Sequence, residues 1–248
     1  MPGGVRFDYR GARVLITGGS NGIGLACARA YASAGARVLI TGRKTRADDY
    51  GHDLSDFDYR PLDVDSRDEL LALAASLDAL DILVNNAGGT QDSEWDHDGF
   101  DKSVRVNLAS AFHLSVACKP LLEASPFEGG ASIIAIASMT AFFGSLWTPG
   151  YGPAKAGLVQ MVKTLGHSWG GAGIRANAVA AGLTRTNLTA VAIDSLPGLK
   201  EQTLARQGLK RVGAVDDIAP AVLFLSSPAA SWITGQTLNV DGGFTTGM

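Results

Sequence analysis

Short apolar segments rich in β-branched residues alternate with segments of helical periodicity along almost the whole chain. Strands are predicted at residues 12–19, 37–42, 57–64, 80–88, 131–138, 174–182 and 236–243. Helices are predicted at residues 24–36, 66–77 and 101–125, and from 151 to about 167. Several strands are apolar on both faces, as strands covered by helices on both sides must be. The pattern therefore predicts an α/β fold with a doubly wound, mostly parallel sheet of seven strands.

A glycine-rich turn, TGGSNGIG at residues 17–24, joins the first predicted strand to the first predicted helix. Glycines at such a junction allow a tight bend, close approach of the backbone to a pyrophosphate, and close packing of helix and strand. The turn predicts dinucleotide binding, and with the strand–helix alternation it predicts a Rossmann-like domain. The predicted cofactor contacts in this turn are Gly18, Ser20, Asn21, Gly22, Ile23 and Gly24.

Length and hydrophobicity agree with one such domain. The chain has 248 residues, 46% of them hydrophobic, which suits a single α/β domain with a large core over residues 1–248. Length alone also allows two small domains. No long linker, low-complexity tract or repeat of solenoid period favours that alternative.

Charge and spacing argue against several other classes of protein. The net charge is −3, from 21 basic and 24 acidic residues, and no basic block indicates nucleic-acid binding. The uncharged stretch at residues 129–154 is interrupted by serine, threonine, proline and glycine, so it predicts a buried strand and a loop rather than a membrane helix. The first residues lack the pattern of a secretory signal, which predicts a cytoplasmic protein. No HxxxH, HExxH or CxxC spacing indicates a bound metal.

The end of the second strand bears on the choice of cofactor. NAD-binding domains commonly carry an acidic residue there, which binds the ribose hydroxyls. This chain has Gly42 at that position, followed by Arg43, Lys44 and Arg46. A guanidinium can bind a 2′-phosphate through two hydrogen bonds, so Arg43 favours NADP(H), with NAD(H) as the alternative.

The stretch TPGYGPAKAG at residues 148–157 places a phenol and an ammonium four residues apart. Pro153 is tolerated only in the first turn of a helix, so Tyr151 and Lys155 are predicted side by side on its opening turns. Taken alone, such a pair is more often a surface pair without a function.

Five motifs in order resemble those of the short-chain dehydrogenase/reductase family, over residues 17 to about 244. They are TGGSNGIG at residues 17–24, NNAG at residues 85–88, Asn107, Ser138, and YGPAK at residues 151–155. The resemblance implies that Tyr151 is the general acid/base and that Lys155 activates it and holds the nicotinamide ribose. It implies that Ser138 orients the substrate oxygen and that Asn107 supports a water-linked proton relay. A tyrosine has an unperturbed pKa of about 10, so catalysis near neutrality needs a stabilised phenolate.

The resemblance also implies further cofactor contacts outside the glycine turn. They are Asp63, Val64, Asn86, Ala87, Gly88, Gly182, Thr184 and Thr186. Ala181 stands where the family usually has proline, which we expect to loosen the backbone at that point.

The substrate side of the site is less well determined. The resemblance implies a variable substrate loop at about residues 187–212. The aromatic run AFFGSLW at residues 141–147 is predicted to line the substrate pocket, to form an oligomer contact, or to be core. If it lines the pocket, an apolar alcohol or ketone is favoured. The resemblance implies a dimer or homotetramer, assembled through helices 101–125 and 151–167 and strand 236–243.

The first functional hypothesis is an NADP(H)-preferring oxidoreductase that interconverts a secondary alcohol and a ketone. The alternatives within the family are an NAD-dependent alcohol dehydrogenase and a 3-oxoacyl reductase. The last would need a basic patch for an acidic carrier, for which the candidates are Lys200, Arg206, Lys210 and Arg211. An alternative of another class is a catalytically silent regulator that binds the cofactor.

Overall fold

The computed structural model describes residues 6–247. The strands are β1 (Arg13–Ile16), β2 (Arg37–Gly42), β3 (Asp58–Pro61), β4 (Ile82–Asn85), β5 (Ala131–Ser138), β6 (Ile174–Ala181) and β7 (Thr237–Val240). The α-helices are α1 (Gly22–Ser33), α2 (Arg67–Ala75), α3 (His97–Val104), α4 (Ser110–Glu123), α5 (Tyr151–Trp169), α6 (Asn187–Ser195), α7 (Leu199–Arg206) and α8 (Val215–Ser226).

The seven strands form one parallel sheet in the order β3-β2-β1-β4-β5-β6-β7. The prediction of a doubly wound, Rossmann-like α/β sheet is confirmed. The strand order reverses between β1 and β4, and in such sheets ligands bind outside the carboxyl ends of the strands at this point. The glycine-rich turn follows β1 there, and the NNAG segment ends β4.

Helices cover both faces of the sheet, which explains the continuous apolar strands. Ile16 of β1 packs in one core with Leu25 of α1 and Leu223 of α8. The neighbouring Leu15 lies in the opposite core with Leu158 of α5. Successive side chains of a strand point to opposite faces, so both must be apolar when both are covered.

The prediction of one regular helix over residues 101–125 is wrong in two respects: the helix begins earlier, and it is interrupted. Helix α3 begins at His97, because the Asp96 carboxylate accepts a hydrogen bond from the Gly99 N–H at 2.9 Å and caps it. A π-helical segment, Arg105–Ala109, then separates α3 from α4. A π-helical turn contains about one residue more than an α-helical turn, which hardly alters the spacing of the apolar residues. The sequence pattern therefore does not reveal the π-helical segment.

The uncharged stretch at residues 129–154 contains β5, a loop and the first turn of α5, as predicted. Within residues 6–247, no helix is both long and apolar enough to cross a membrane.

Candidate active site

The glycine-rich turn is held in place by the end of β4. Gly18 has a φ of +65°, a conformation that favours glycine, and a Cβ there would lie 3.0 Å from the Ala87 Cα. The Asn86 side-chain amide donates hydrogen bonds to the carbonyl oxygens of Thr17 and Gly18 at 2.9 and 3.0 Å. Asn86 therefore supports the predicted cofactor site by fixing the turn.

Helix α1 begins within the glycine-rich turn, which is predicted to bind a pyrophosphate. Asn21 precedes its first residue but makes no side-chain capping bond, so the first N–H groups lack a side-chain acceptor. Instead, the Asn21 Oδ1 lies 2.8 Å from the His52 Nε2 and accepts from the Asn187 Nδ2 at 3.3 Å. Thr186 lies beside Gly22, 3.4 Å from the position of a Cβ there. These four polar side chains surround the opening of the turn.

The end of β2 has no room for an acidic side chain. A Cβ at Gly42 would overlap the Tyr50 hydroxyl and would lie 2.9 Å from the Ser20 Oγ. The Tyr50 hydroxyl is held there by the Lys44 N–H, at 3.0 Å. Sequence reasoning missed Tyr50, because only the folding back of the loop after β2 brings it to Gly42.

The three cations after β2 differ in what they contact. The Lys44 ammonium bonds the Asp49 carbonyl oxygen and lies 4.9 Å from the centre of the Tyr50 ring. Arg46 forms an ion pair with Asp48 at 3.2 Å. Arg43 is exposed and forms no ion pair within residues 6–247. Its guanidinium is therefore the one of the three with no partner among the described residues.

Two other groups of predicted cofactor residues have local structural partners. The exposed Asp63 accepts a hydrogen bond from the Asp65 N–H at 3.0 Å, and Val64 packs against the core. The Thr184 hydroxyl donates to the Gly182 carbonyl oxygen at 3.1 Å.

Thr186 caps α6 by accepting from the Thr189 N–H at 3.3 Å. Ala181 is buried as the last residue of β6, in register between Ser138 and Val240. The backbone where the family has proline is therefore held within the sheet.

Ser138, Tyr151 and Lys155 meet at the carboxyl end of β5. Ser138 is its last residue, and its Oγ accepts from the Thr140 N–H and hydroxyl at 3.2 and 3.0 Å. Tyr151 is the first residue of α5. The Lys155 Nζ lies 5.4 Å from the centre of the Tyr151 ring and donates to the Ile136 carbonyl oxygen of β5 at 2.7 Å. Helix α5 therefore presents both side chains to the end of β5.

Asn107 is joined to this group through the segment after β4. Its Oδ1 accepts from the Gly89 N–H at 2.8 Å and its Nδ2 donates to the Gly89 carbonyl oxygen at 2.9 Å. A Cβ at Gly88 would overlap the Asn107 Oδ1 and would lie 3.4 Å from the Lys155 Nζ. The four residues predicted as catalytic are thus brought together by β4, β5, α5 and the π-helical segment.

Burial shifts the pKa of both titratable groups. It raises the pKa of Tyr151 to about 12; a hydrogen bond with Ser138 opposes this shift, and the negative charge of Glu94 adds to it. Burial lowers the pKa of Lys155 to about 8. Near pH 7 the site therefore holds a neutral phenol beside an ammonium, the protonation state needed to donate a proton to a carbonyl oxygen.

The buried ammonium leads to a stability prediction. A pKa lowered from 10.5 to about 8 corresponds to a folding cost of about 3 kcal/mol below pH 8, offset by about 1 kcal/mol for the bond to Ile136. We expect Lys155→Met to stabilise the protein by about 2 kcal/mol at pH 7. This gain in stability should shrink as the pH rises from 8 to 10.5. The lysine of the wild type loses its proton near pH 8 in the folded state and near pH 10.5 in the unfolded state. Urea unfolding of both proteins at pH 7 and at pH 10.5 measures the difference in their free energies of unfolding.

Lys163→Met is the matched control, because Lys163 is exposed on the same helix. An equal pH-dependent gain in both variants would contradict the assignment to the buried ammonium.

The aromatic run after β5 is not simply core. Leu146 and Trp147 are 79% and 76% exposed, and the Trp95 indole N–H donates to the Leu146 carbonyl oxygen at 3.0 Å. Phe143 instead packs on Phe244, with ring centres 5.2 Å apart. A substrate contact and an oligomer contact remain as interpretations for the exposed part.

The chain is similar to known reductases and dehydrogenases over almost its whole length. A family model described as "Enoyl-(Acyl carrier protein) reductase" matches residues 18–245. A 3-oxoacyl-[acyl-carrier-protein] reductase of Rickettsia bellii is 35% identical, over 95% of this chain and 98% of its own. A 7alpha-hydroxysteroid dehydrogenase of Escherichia coli is 35% identical, over 94% of each. The Pseudomonas aeruginosa RhlG/NADP active-site complex superposes with a TM-score of 0.84 at 31% identity, over 97% of this chain and 98% of its own.

The chain belongs to the short-chain dehydrogenase/reductase family. It is an NAD(P)-dependent oxidoreductase of that family, acting on CH–OH or C=O groups.

Proposed function

We propose that the protein interconverts a secondary alcohol and a ketone with NADP(H) as the favoured cofactor. The observation that carries this proposal is the pair formed by the half-buried Tyr151 and the buried Lys155 beside Ser138. A neutral phenol in that place can donate a proton to a carbonyl oxygen. A regulator without catalysis would have no need for a desolvated ammonium next to it.

The side chains divide the work as follows. Tyr151 donates the proton to the ketone oxygen during reduction and accepts it during oxidation, and Ser138 holds the same oxygen by its hydroxyl. The Lys155 ammonium stabilises the phenolate that remains after proton donation. Asn107 holds the segment after β4 through Gly89 and supports a water-linked proton path. The nicotinamide supplies or takes the hydride.

Four features support the binding of NADP(H). The uncapped start of α1 and the lack of a side chain at Gly22 suit a pyrophosphate. Arg43 has no competing ion pair within residues 6–247, and Tyr50 fills the space in which an acidic residue would bind a 2′-hydroxyl.

Tyr50 leads to a prediction about changing the cofactor. Gly42→Asp alone should weaken NADPH binding without improving NADH binding, because the new side chain overlaps the Tyr50 hydroxyl. The double variant Gly42→Asp/Tyr50→Ala should gain NADH affinity, which fluorescence titration measures. Gly51→Asp is the matched control, since it adds the same charge to the same loop in open space. A gain of NADH affinity in Gly42→Asp alone would contradict the steric role of Tyr50.

The substrate is proposed to be a fairly apolar alcohol or ketone. Leu146 and Trp147 are exposed on the loop that leads into α5, and the exposed Trp95, from the loop before α3, bonds to the Leu146 carbonyl oxygen, so the three side chains form one apolar surface. The hydroxysteroid dehydrogenase among the relatives is named for a large apolar substrate. The substrate loop proposed at residues 187–212 corresponds to α6, α7 and the segment after them.

A 3-oxoacyl carrier substrate is less well supported. Arg211 pairs with Asp217 at 2.6 Å, and Lys210 bonds the Leu204 and Ala205 carbonyl oxygens. Arg206 stacks on Phe244, with 4.6 Å between the guanidinium carbon and the ring centre. Of these three cations Arg211 is neutralised by an ion pair, and all three side chains are held by partners within the chain, which leaves them less free to bind an acidic carrier.

We also propose a single domain that assembles as a homodimer or homotetramer. Phe112 and Val116 are large apolar side chains exposed on α4, and Leu238 is exposed on β7. Assembly through α4, α5 and β7 would remove these side chains from water. Sedimentation of the purified protein measures the assembly state.

Titration of the purified protein with NADPH and NADH tests the function, followed by turnover assays with apolar ketones and alcohols. Tighter binding of NADPH with ketone reduction supports the proposal. Equal or tighter binding of NADH would reject the cofactor preference, and binding without turnover on any alcohol or ketone would favour the regulator. Binding of neither would reject the site itself.

A further inference from the structure

A buried carboxylate, that of Glu94, lies behind the proposed catalytic residues. Glu94 belongs to the loop between β4 and α3 and is only 5% exposed. It forms no ion pair within residues 6–247, although a buried charge is costly unless it is hydrogen-bonded. Its role must therefore be explained by its hydrogen bonds.

Four donors surround this carboxylate. Its Oε1 accepts from the Gln91 N–H at 2.9 Å and the Ser103 hydroxyl at 3.1 Å. Its Oε2 accepts from the N–H groups of Gly150 and Tyr151 at 3.0 and 2.9 Å. Three of these partners are backbone N–H groups, which can only donate, and each carboxylate oxygen faces at least one of them. The arrangement is built for a carboxylate.

The two bonds to Oε2 lie at the start of the helix that carries Tyr151 and Lys155. The first N–H groups of a helix have no partner within it, and the positive end of its dipole favours an anion. Gly150 has no side chain with which to cap the 19 residues of α5. Glu94, distant in sequence, supplies the missing acceptor.

The other carboxylate oxygen connects to Asn107. The Ser103 hydroxyl donates to it, and the Asn107 Nδ2 donates to the Ser103 carbonyl oxygen at 2.9 Å. A Cβ at Gly150 would lie 2.8 Å from the Ser103 Cβ, so α3 and the start of α5 are in close contact here. One carboxylate thus joins the backbone of Tyr151 to the segment that holds Asn107.

We propose that Glu94 is a positioning residue, whose carboxylate fixes the first turn of α5 and so sets the Tyr151 phenol relative to Ser138 and Asn107. This inference rests on the proposed oxidoreductase function. The substitution Glu94→Gln would keep the size of the side chain but offer one accepting oxygen instead of two. Two of the four donors would then face an NH₂ group.

The charge also acts on the phenol. Burial is the main cause that raises the pKa of Tyr151, and the charge of Glu94 raises it further. The groups that face the phenol are Lys155 from α5, the neutral Ser138 from β5, and Glu94 from the loop after β4. Removing the negative charge makes the phenolate easier to form. The pH profile of alcohol oxidation, which needs the phenolate, should therefore move to lower pH.

The test compares Glu94→Gln with Asp92→Asn, a substitution of an exposed residue of the same loop that loses the same charge. We expect kcat to fall about tenfold in Glu94→Gln, as for the loss of one or two hydrogen bonds. The pH profile should shift to lower pH, the affinity for NADPH should not change, and amide exchange at the start of α5 should become faster. Asp92→Asn should match the wild type in each respect.

If Glu94→Gln folds and its kcat, pH profile and amide exchange equal those of the wild type, the proposal is overturned. The proposal is also overturned if kcat falls while the pH profile and the amide exchange at the start of α5 stay unchanged, because a structural defect elsewhere would then explain the lower kcat. If Glu94→Gln fails to fold, Ser103→Ala removes the hydrogen bond to the Glu94 Oε1, together with the long one from the Asn107 Nδ2 at 3.4 Å, and keeps the charge. It should lower kcat severalfold with an unshifted pH profile, and an unchanged kcat would overturn the proposal.

The two hypotheses fail in different ways. A wild type that turns over no alcohol or ketone rejects the proposed function, and amide exchange at α5 then still decides the role of Glu94. If the wild type is active and Glu94→Gln has the same kcat, pH profile and amide exchange, only the proposed role of Glu94 is rejected.

Discussion

Tyr151→Phe is expected to lower kcat by about 10²–10⁴-fold and to leave the affinity for NADPH unchanged. The phenol is the only proton donor proposed for the substrate oxygen, so its loss removes general acid catalysis. The phenyl ring keeps its place beside the Lys155 ammonium. Stopped-flow or steady-state assays with a ketone give kcat, and fluorescence titration gives the cofactor affinity.

Tyr31→Phe is the matched control for this variant. Its buried hydroxyl lies 2.6 Å from the Ser226 Oγ, in the core between α1 and α8. We expect it to lower stability by about 1 kcal/mol without a comparable loss of kcat. Equal activity in Tyr151→Phe and wild type would contradict the assignment of Tyr151 as the acid/base.

Arg43→Asp is expected to weaken NADPH binding by about 30- to 150-fold while NADH binding is retained or improved. A hydrogen bond to a charged group contributes about 2–3 kcal/mol, and the new carboxylate repels a 2′-phosphate. The preference for NADPH should therefore be lost or reversed. Titration of both cofactors against both proteins measures the change.

The control for this charge reversal is Arg46→Asp in the same loop. Arg46 is already paired with Asp48, so its replacement should affect NADPH binding much less. The effect of Arg43→Asp should also weaken at high salt, because exposed charges are screened. Equal losses in the two variants would show that the loop acts through its overall charge and that Arg43 does not bind the phosphate specifically.

The fold was largely predictable because it depends on patterns that repeat along the chain. The strands of a sheet covered on both faces must be mainly apolar, and β5 and β6, which are buried over eight residues each, are mainly apolar. The irregular helix from His97 to Glu123 was predicted less well. Its start depends on one capping bond of Asp96, and its π-helical segment on tertiary contacts of Asn107.

The site was predictable to the extent that its residues lie in local motifs. The glycine-rich turn and the Tyr151–Lys155 spacing have a defined local geometry, and the structure brings Ser138 and Asn107 to the same strand ends. Their roles stay predictions until the variants are measured. Tyr50 and Glu94 carry no such motif, and each acts on a residue that only the folded chain brings near.

The sequence by itself determined the α/β class, the position of the glycine-rich turn and the residues that are candidates for catalysis. Each of these depends on residues close together in the chain, where periodicity and spacing are physical constraints. Only the tertiary structure decided that Tyr50 closes the space at Gly42 and that Glu94 caps the helix of Tyr151. It also decided that, within the described residues 6–247, the Arg43 side chain has neither a hydrogen bond nor an ion pair, unlike Lys44 and Arg46. Those contacts join separate segments of the chain, and burial then sets the protonation of Tyr151 and Lys155.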